Sequence, residues 1–366
     1  VKTLSETLQR GNNNFDLIRL VAALAVMLGH SYGVQAGQME SMLMFTHRES
    51  FGSFAVYGFF MISGMLVSAS FAHHASTFRF VALRALRIWP GAIVCALFIA
   101  LVVGPLFSRV SLDTYLTSET TWRWVIHNTS LMGHVGGPLP GLFEANHLRS
   151  LVNATVWTLP VELKCYVIVL LVGLAGVIGS KPRTLICVVI AGGIFALFAN
   201  HPPSYAPLGD FFTLQIAYSF YPVPFFLLGM LLYAFRNHVR LSWLPALVLA
   251  VAYVLTRFSF VSTLLLYPAF AYGLLWLASA NFLKKIRPKH DYSYGIYLYG
   301  FVVQQIVASV SPSWNNYEAL LVAVPITVVL AAFSWHCVEH PCLTRYGRRV
   351  AAKVSAVPAP NVASGA

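Results

Sequence analysis

Arg19 and His30 lie within one apolar stretch, FDLIRLVAALAVMLGHSY, with ten residues between them. Eleven steps at about 100° per residue make three turns plus roughly 20°, so on a helix both side chains share a face about 16 Å apart. Ionisable groups at membrane depth are costly and face a protein interior or a water-filled cavity, where a functional role is the default reading. Glu162 follows Trp157-Thr158-Leu159-Pro160-Val161 just inside the outer end of a later apolar run, at roughly the depth of His30. A carboxylate beside an imidazole holds its tautomer and stabilises its protonated form, as a base needs when it takes a proton from a hydroxyl. Structural readings stand beside these: Arg19 snorkelling to headgroups, His30 hydrogen-bonded inside a bundle, Glu162 paired with Lys164.

Arg84 and Arg87 are three apart, so on a helix they project from neighbouring positions at the inner surface. A planar guanidinium donates two hydrogen bonds to one phosphate, although basic residues of an inner loop also serve simply as topology markers. Ser63 and Gly64 fall midway through the second apolar run, where small residues permit close helix contact. A serine nucleophile there would need a neighbouring base, which sequence alone does not place. Tyr294, Tyr297, Gln304 and Gln305 give a late span many hydrogen-bonding groups, and together with Ser63 and Trp157 they are candidates for lining a polar cavity. The cluster HCVEHPC at 336–342 superficially resembles a metal site, but it contains no CxxC pair and no metal is expected.

These residues require a membrane scaffold. Of the 366 residues, 58% are hydrophobic and 10% charged, which excludes an ordinary soluble protein, and several apolar runs reach the length a helix needs to cross about 30 Å of hydrocarbon. We expect an all-α integral membrane protein with about ten spans, near 15–34, 51–72, 88–108, 156–179, 184–200, 213–235, 243–257, 260–280, 292–311 and 318–338. With the N-terminus inside, seventeen Lys and Arg fall on inner segments and five on outer ones, so both termini are cytoplasmic. The net charge of +12 therefore marks topology and not nucleic-acid binding.

The chain divides into a polar cytoplasmic leader at 1–14, one membrane domain at 15–345, and a basic and then disordered cytoplasmic tail at 346–366. No cleavable signal peptide is expected, since the first apolar stretch is full length and follows a polar leader. The inner segment 73–90 alternates basic and apolar residues and is expected to lie along the interface. The outer segment 109–154 is too long for a simple connection and carries His127, His134, His147, Asp113, Glu119 and Glu144, which favours a functional role.

Taken together, the motifs resemble those of the acyltransferase 3 family of membrane acyltransferases. The resemblance rests on Phe15-Asp16, Arg19 followed after ten residues by His30, Phe60-Met61-Ile62-Ser63-Gly64, Arg84 to Arg87, and Trp157 to Glu162. Tyr292-Ser293-Tyr294-Gly295-Ile296-Tyr297 and Ser334-Trp335 through Val338-Glu339-His340-Pro341 extend it, so it covers about residues 12 to 345. Met65 departs from it, standing where an aromatic often follows Ser-Gly. The resemblance implies a stand-alone member without a periplasmic esterase-like domain, in a bacterial inner membrane. It implies acyl transfer from cytoplasmic acyl-CoA, commonly acetyl-CoA, to a hydroxyl of a surface or exported carbohydrate or lipid-linked glycan. Acyl-CoA enters as a substrate, and no permanently bound cofactor is expected.

In that reading Arg84 and Arg87 hold donor phosphates, Arg19 positions the donor, and His30 supported by Glu162 deprotonates the acceptor or carries the acyl group. Direct transfer and an acyl-histidine intermediate both remain open. A transporter or flippase relaying protons through Arg19, His30 and Glu162 is the competing class. It leaves the basic inner motif and the long outer segment unexplained.

Overall fold

Long runs of Leu, Val, Ala and Phe without backbone partners in lipid must satisfy every N–H and C=O internally, and this chain does so as helices. The computed structural model describes residues 1–9, 11–73, 76–149, 151–198 and 222–346. The principal helices are α1 (Phe15–Ser31), α2 (Phe51–His73), α3 (Thr77–Phe98), α4 (Glu119–Ser130), α5 (Thr158–Leu174), α6 (Lys181–Phe198), α7 (Val223–Ala234), α8 (Trp243–Thr256), α9 (Val261–Ser279), α10 (Ser293–Val310) and α11 (Asn316–Ser334). Among the described residues, five helical stretches are long and apolar enough to cross a membrane: Phe15–Ala36, Phe51–His73, Thr77–Phe107, Val261–Ser279 and Asn316–Arg345. The protein is thus a helical membrane protein. Parts of the expected spans 184–200 and 213–235, and nearly all of the tail 346–366, lie outside the described residues.

Helices α2 and α10 form the centre. Helix α2 packs on α1, α5 and α7, and α10 packs on α1 and α11. At the crossing of α2 and α7 two glycines meet: a Cβ on Gly64 would lie 2.2 Å from the Phe226 carbonyl oxygen, and one on Gly229 would lie 2.3 Å from that of Met61. Without side chains at these points the backbones approach closely, the small-residue packing of membrane helices. At the periphery, α8 exposes Leu244, Leu247, Val248, Val251 and Leu255, the apolar surface that a lipid-facing helix offers.

Two expectations change. Residues 77–90 do not form a separate interfacial segment but open α3, which runs through Pro90 without ending. Arg84 and Arg87 accordingly turn into the bundle, because the helix that carries them is one of its members. The leader packs onto the bundle: Lys2–Thr3 pairs antiparallel with Arg240–Leu241, Leu4 is fully buried, and the Asn14 amide donates to the carbonyls of Leu277 and Ala280.

The outer segment is a folded cap. Asn146 donates to the Gln305 carbonyl and side chain, Asn153 donates to the Leu298 carbonyl, and Gln305 donates to the carbonyls of Leu148 and Leu151. Buried amides of this kind are retained because each finds a partner.

Candidate functional site

Five helices enclose a cavity of about 330 Å³. Arg19 comes from α1, Phe59, Phe60 and Ser63 from α2, Arg84 and Arg87 from α3, Glu162 and Tyr166 from α5, and Tyr294 and Tyr297 from α10. Helical spacing places them: Arg84 and Arg87 are three apart and Glu162 and Tyr166 four apart, so each pair shares a face. Ser63 and Gly64 are consecutive and point about 100° apart, which lets Gly64 meet α7 while Ser63 faces the cavity.

Glu162 receives two hydrogen bonds on one oxygen. Ser63 Oγ donates to Oε1 over 3.2 Å, and Tyr166 Oη donates to the same atom in a short contact. The Arg84 guanidinium carbon lies 5.8 Å from the Tyr166 ring centroid, within cation–π range, and its buried Nε has no hydrogen-bond partner among the described residues. Tyr294 donates to the Ile88 carbonyl and lies under Arg87, whose guanidinium carbon is 5.8 Å from its ring centroid. The Tyr297 hydroxyl is held by the Thr155 carbonyl and by Thr158 Oγ1.

At one end of the cavity Asp291 joins two of the arginines. Its Oδ2 accepts from Arg87 Nη2 at 2.6 Å and lies 3.9 Å from Arg19 Nη1, while Oδ1 accepts from Ser293. Burial opposes the charged carboxylate, but Arg87 and Arg19 outweigh it and hold the Asp291 carboxyl down at about 2. Two of the three arginines therefore share one negative charge, whereas Arg84 has no salt-bridge partner among the described residues. A net positive charge therefore remains for an anionic ligand both on this cluster and on Arg84.

The expected pairing of Glu162 with His30 does not form. No hydrogen bond joins them among the described residues: Glu162 is taken by Ser63 and Tyr166, because α5 turns its Glu162 face toward α2 and α3. His30 lies beyond the cavity lining with its ring edge-on to Phe301 at 5.1 Å, and its buried Nδ1 has no hydrogen-bond partner among the described residues. Gln304 also leaves the candidate lining: its amide donates to the Met27 carbonyl and ties α10 to α1. Trp157 lines a second and larger cavity of about 990 Å³, mostly apolar, between α3, α5 and residues 130–135. Arg84 and Tyr166 line both cavities and form the wall between them.

Two residues of the site escaped the sequence reading. Asp291 hides in the basic run KKIRPKHD and reads as part of a topology marker, although an acid immediately before a helix start was the available signal. Tyr166 sits among ordinary apolar residues, and its position four after Glu162 was the clue.

A model of the family described as an acyltransferase domain, acyltransferase 3, matches residues 12–338. An O-acetyl transferase of Shigella phage Sf6 is 27% identical over 343 residues, covering 91% of this chain and 97% of the relative. Nodulation protein 10 of Rhizobium leguminosarum bv. viciae is 27% identical over 375 residues, covering 94% and 96%. No solved structure matches. A family match over most of the chain, on a helical bundle whose cavity gathers cations beside a carboxylate, identifies the protein as a membrane acyltransferase that belongs to the acyltransferase 3 family.

Proposed function

We propose that this protein is an O-acyltransferase that moves an acyl group, acetyl in the first instance, from cytoplasmic acyl-CoA to a hydroxyl of a surface or exported carbohydrate. Its setting is a bacterial inner membrane, crossed ten times with both termini in the cytoplasm, as the distribution of Lys and Arg supports. The printed description of the phage relative, an O-acetyl transferase, supports the reaction class.

The observation that carries the proposal is the cavity in which Arg19, Arg84 and Arg87 face Glu162 and Ser63. Guanidinium groups recognise the phosphates of an acyl-CoA, and Arg84, which makes no salt bridge among the described residues, is the least committed of the three. Asp291 keeps Arg87 and Arg19 in place. Glu162 supplies a base at the thioester, and His30, whose Nδ1 is unpartnered, meets the acceptor hydroxyl on the outer side. The acceptor arrives free or attached to a lipid.

The test is purified full-length protein in lipid nanodiscs with labelled acetyl-CoA and a panel of bacterial glycans. Labelled glycan and free CoA in equal amounts are expected. Failure of every acceptor, with no consumption of donor, would refute the reading.

A further inference from the structure

We propose that Ser63 is the nucleophile of this transfer and carries the acyl group as a serine ester between donor and acceptor. The inference rests on the acyltransferase reading and adds to it a covalent intermediate at a named atom. A serine becomes nucleophilic when a base lies within hydrogen-bond reach and a third group orients that base. Ser63 Oγ donates to Glu162 Oε1 over 3.2 Å, and Tyr166 Oη donates to the same oxygen. The carboxylate is thereby fixed on the Ser63 hydroxyl by a residue one turn along its own helix.

A serine within a membrane helix ordinarily donates to a carbonyl of its own helix. Thr256 does so toward the Ala252 carbonyl. Ser63 instead reaches across to another helix, and it does so on the wall of the cavity.

His30 lies outside the cavity lining on which Ser63 and Glu162 meet.

The chemistry balances without any further reactant. Glu162 takes the Ser63 proton as Oγ adds to the thioester carbonyl. The tetrahedral adduct collapses, the C–S bond breaks, and the thiolate leaves with the proton returned by Glu162, giving free CoA and a Ser63 ester. In the second half Glu162 takes the proton of the acceptor hydroxyl, whose oxygen adds to the ester carbonyl. The C–Oγ bond breaks, and Ser63 recovers the proton. No group is oxidised or reduced.

The experiment is single-turnover labelling of the full-length protein with acetyl-CoA in the absence of acceptor, acid quench, proteolysis and mass spectrometry. Glycan acetylation is followed in parallel. We expect one acetyl group on the peptide containing Ser63, discharged when acceptor is added, and absent in Ser63→Ala. Transfer should fall about 10³-fold or more in Ser63→Ala, in line with loss of a nucleophile, and about 10²–10⁴-fold in Glu162→Gln, in line with loss of a general base.

Ser68→Ala, one of the buried positions of α2 outside the cavity lining, should keep the label and serves as the folding control. His30→Ala should still be labelled while failing to acetylate glycan. Glycan acetylation with no enzyme-bound acetyl group, acetyl on His30, or wild-type transfer by Ser63→Ala would each overturn the proposal while leaving the acyltransferase reading intact. Absence of both labelled protein and labelled glycan would overturn that reading too.

Discussion

Replacing Asp291 by Asn keeps the shape of the side chain and removes its charge, leaving Arg87 and Arg19 facing each other at the end of the cavity. At an effective dielectric of about 20, a unit charge pair is worth about 6 kcal/mol at 2.6 Å and about 4 kcal/mol at 3.9 Å before desolvation is subtracted. Burial returns much of this, and removing one partner of such a pair costs about 3–5 kcal/mol net. The side chains retain accessibilities of 12% for Asp291, 20% for Arg19 and 23% for Arg87, and Arg87 keeps the Tyr294 ring, which places the expectation near the lower end. At roughly 2 °C per kcal/mol for a chain of this length, Asp291→Asn should melt about 6 °C below wild type.

The assay is thermal unfolding of the purified protein in one detergent, with Arg87→Gln and the double variant alongside. Because the double variant removes both charges of the tightest pair, it should melt above Asp291→Asn. Wild-type melting by Asp291→Asn, or a double variant that loses the sum of the singles, would refute the argument. The pH dependence supplies a second check. Despite its burial, the Asp291 carboxyl is held at about 2 by Arg87 and Arg19, below the usual 3.8. Its stabilisation is complete above about 3.8 and is lost as pH falls toward 2, so the gap between wild type and variant should stay flat from about pH 5 to 8.

Other outcomes follow from the same geometry. Arg84→Ala should raise the KM for acetyl-CoA more than Arg87→Ala, because Arg87 shares its charge with Asp291; equal KM values would remove Arg84 from its leading role. His30→Ala should abolish acetylation of glycan while the protein still inserts and elutes as wild type, and full activity would end the assignment of His30 to the acceptor. Gly64→Ala should lower thermal stability by about 1–3 kcal/mol through overpacking against Phe226. Gly192→Ala, in open space on α6, should not, and equal melting of these two variants would refute the close crossing of α2 and α7.

Much of this site was legible in the amino-acid types. A cation or carboxylate in an apolar run must face protein, and Arg19, Arg84, Arg87 and Glu162 do line one cavity with Ser63, Tyr294 and Tyr297. The pairing of those groups was not legible. Position along a span gives depth, but the direction in which a side chain points around the bundle depends on how the helices pack. His30 and Glu162 read as equal in depth, yet one turns to Phe301 and the other to Ser63. Gln304 shows the same limit from the opposite side: an amide in a span can line water or bind a neighbouring backbone, and here the Met27 carbonyl takes it. Arg84 and Arg87 fall in a basic stretch between two apolar runs, which places them at an inner surface when only the sequence is read. Helix α3 tolerates the proline and carries both side chains inward.

The spacing of Arg19 and His30 acquires a different meaning from this packing. On α1 the pair is separated by about three turns, and Arg19 ends at the Asp291 cluster while His30 ends against α10 beyond the cavity. The pantetheine arm of an acyl-CoA separates its phosphates from its thioester, so the two ends of the donor need not meet at one residue. In the Ser63 reading the thioester reaches Ser63 and Glu162 inside the cavity, and the acceptor is drawn inward past His30 to meet it. Helix α1 then serves both substrates from opposite ends without its two ionisable residues ever sharing a proton.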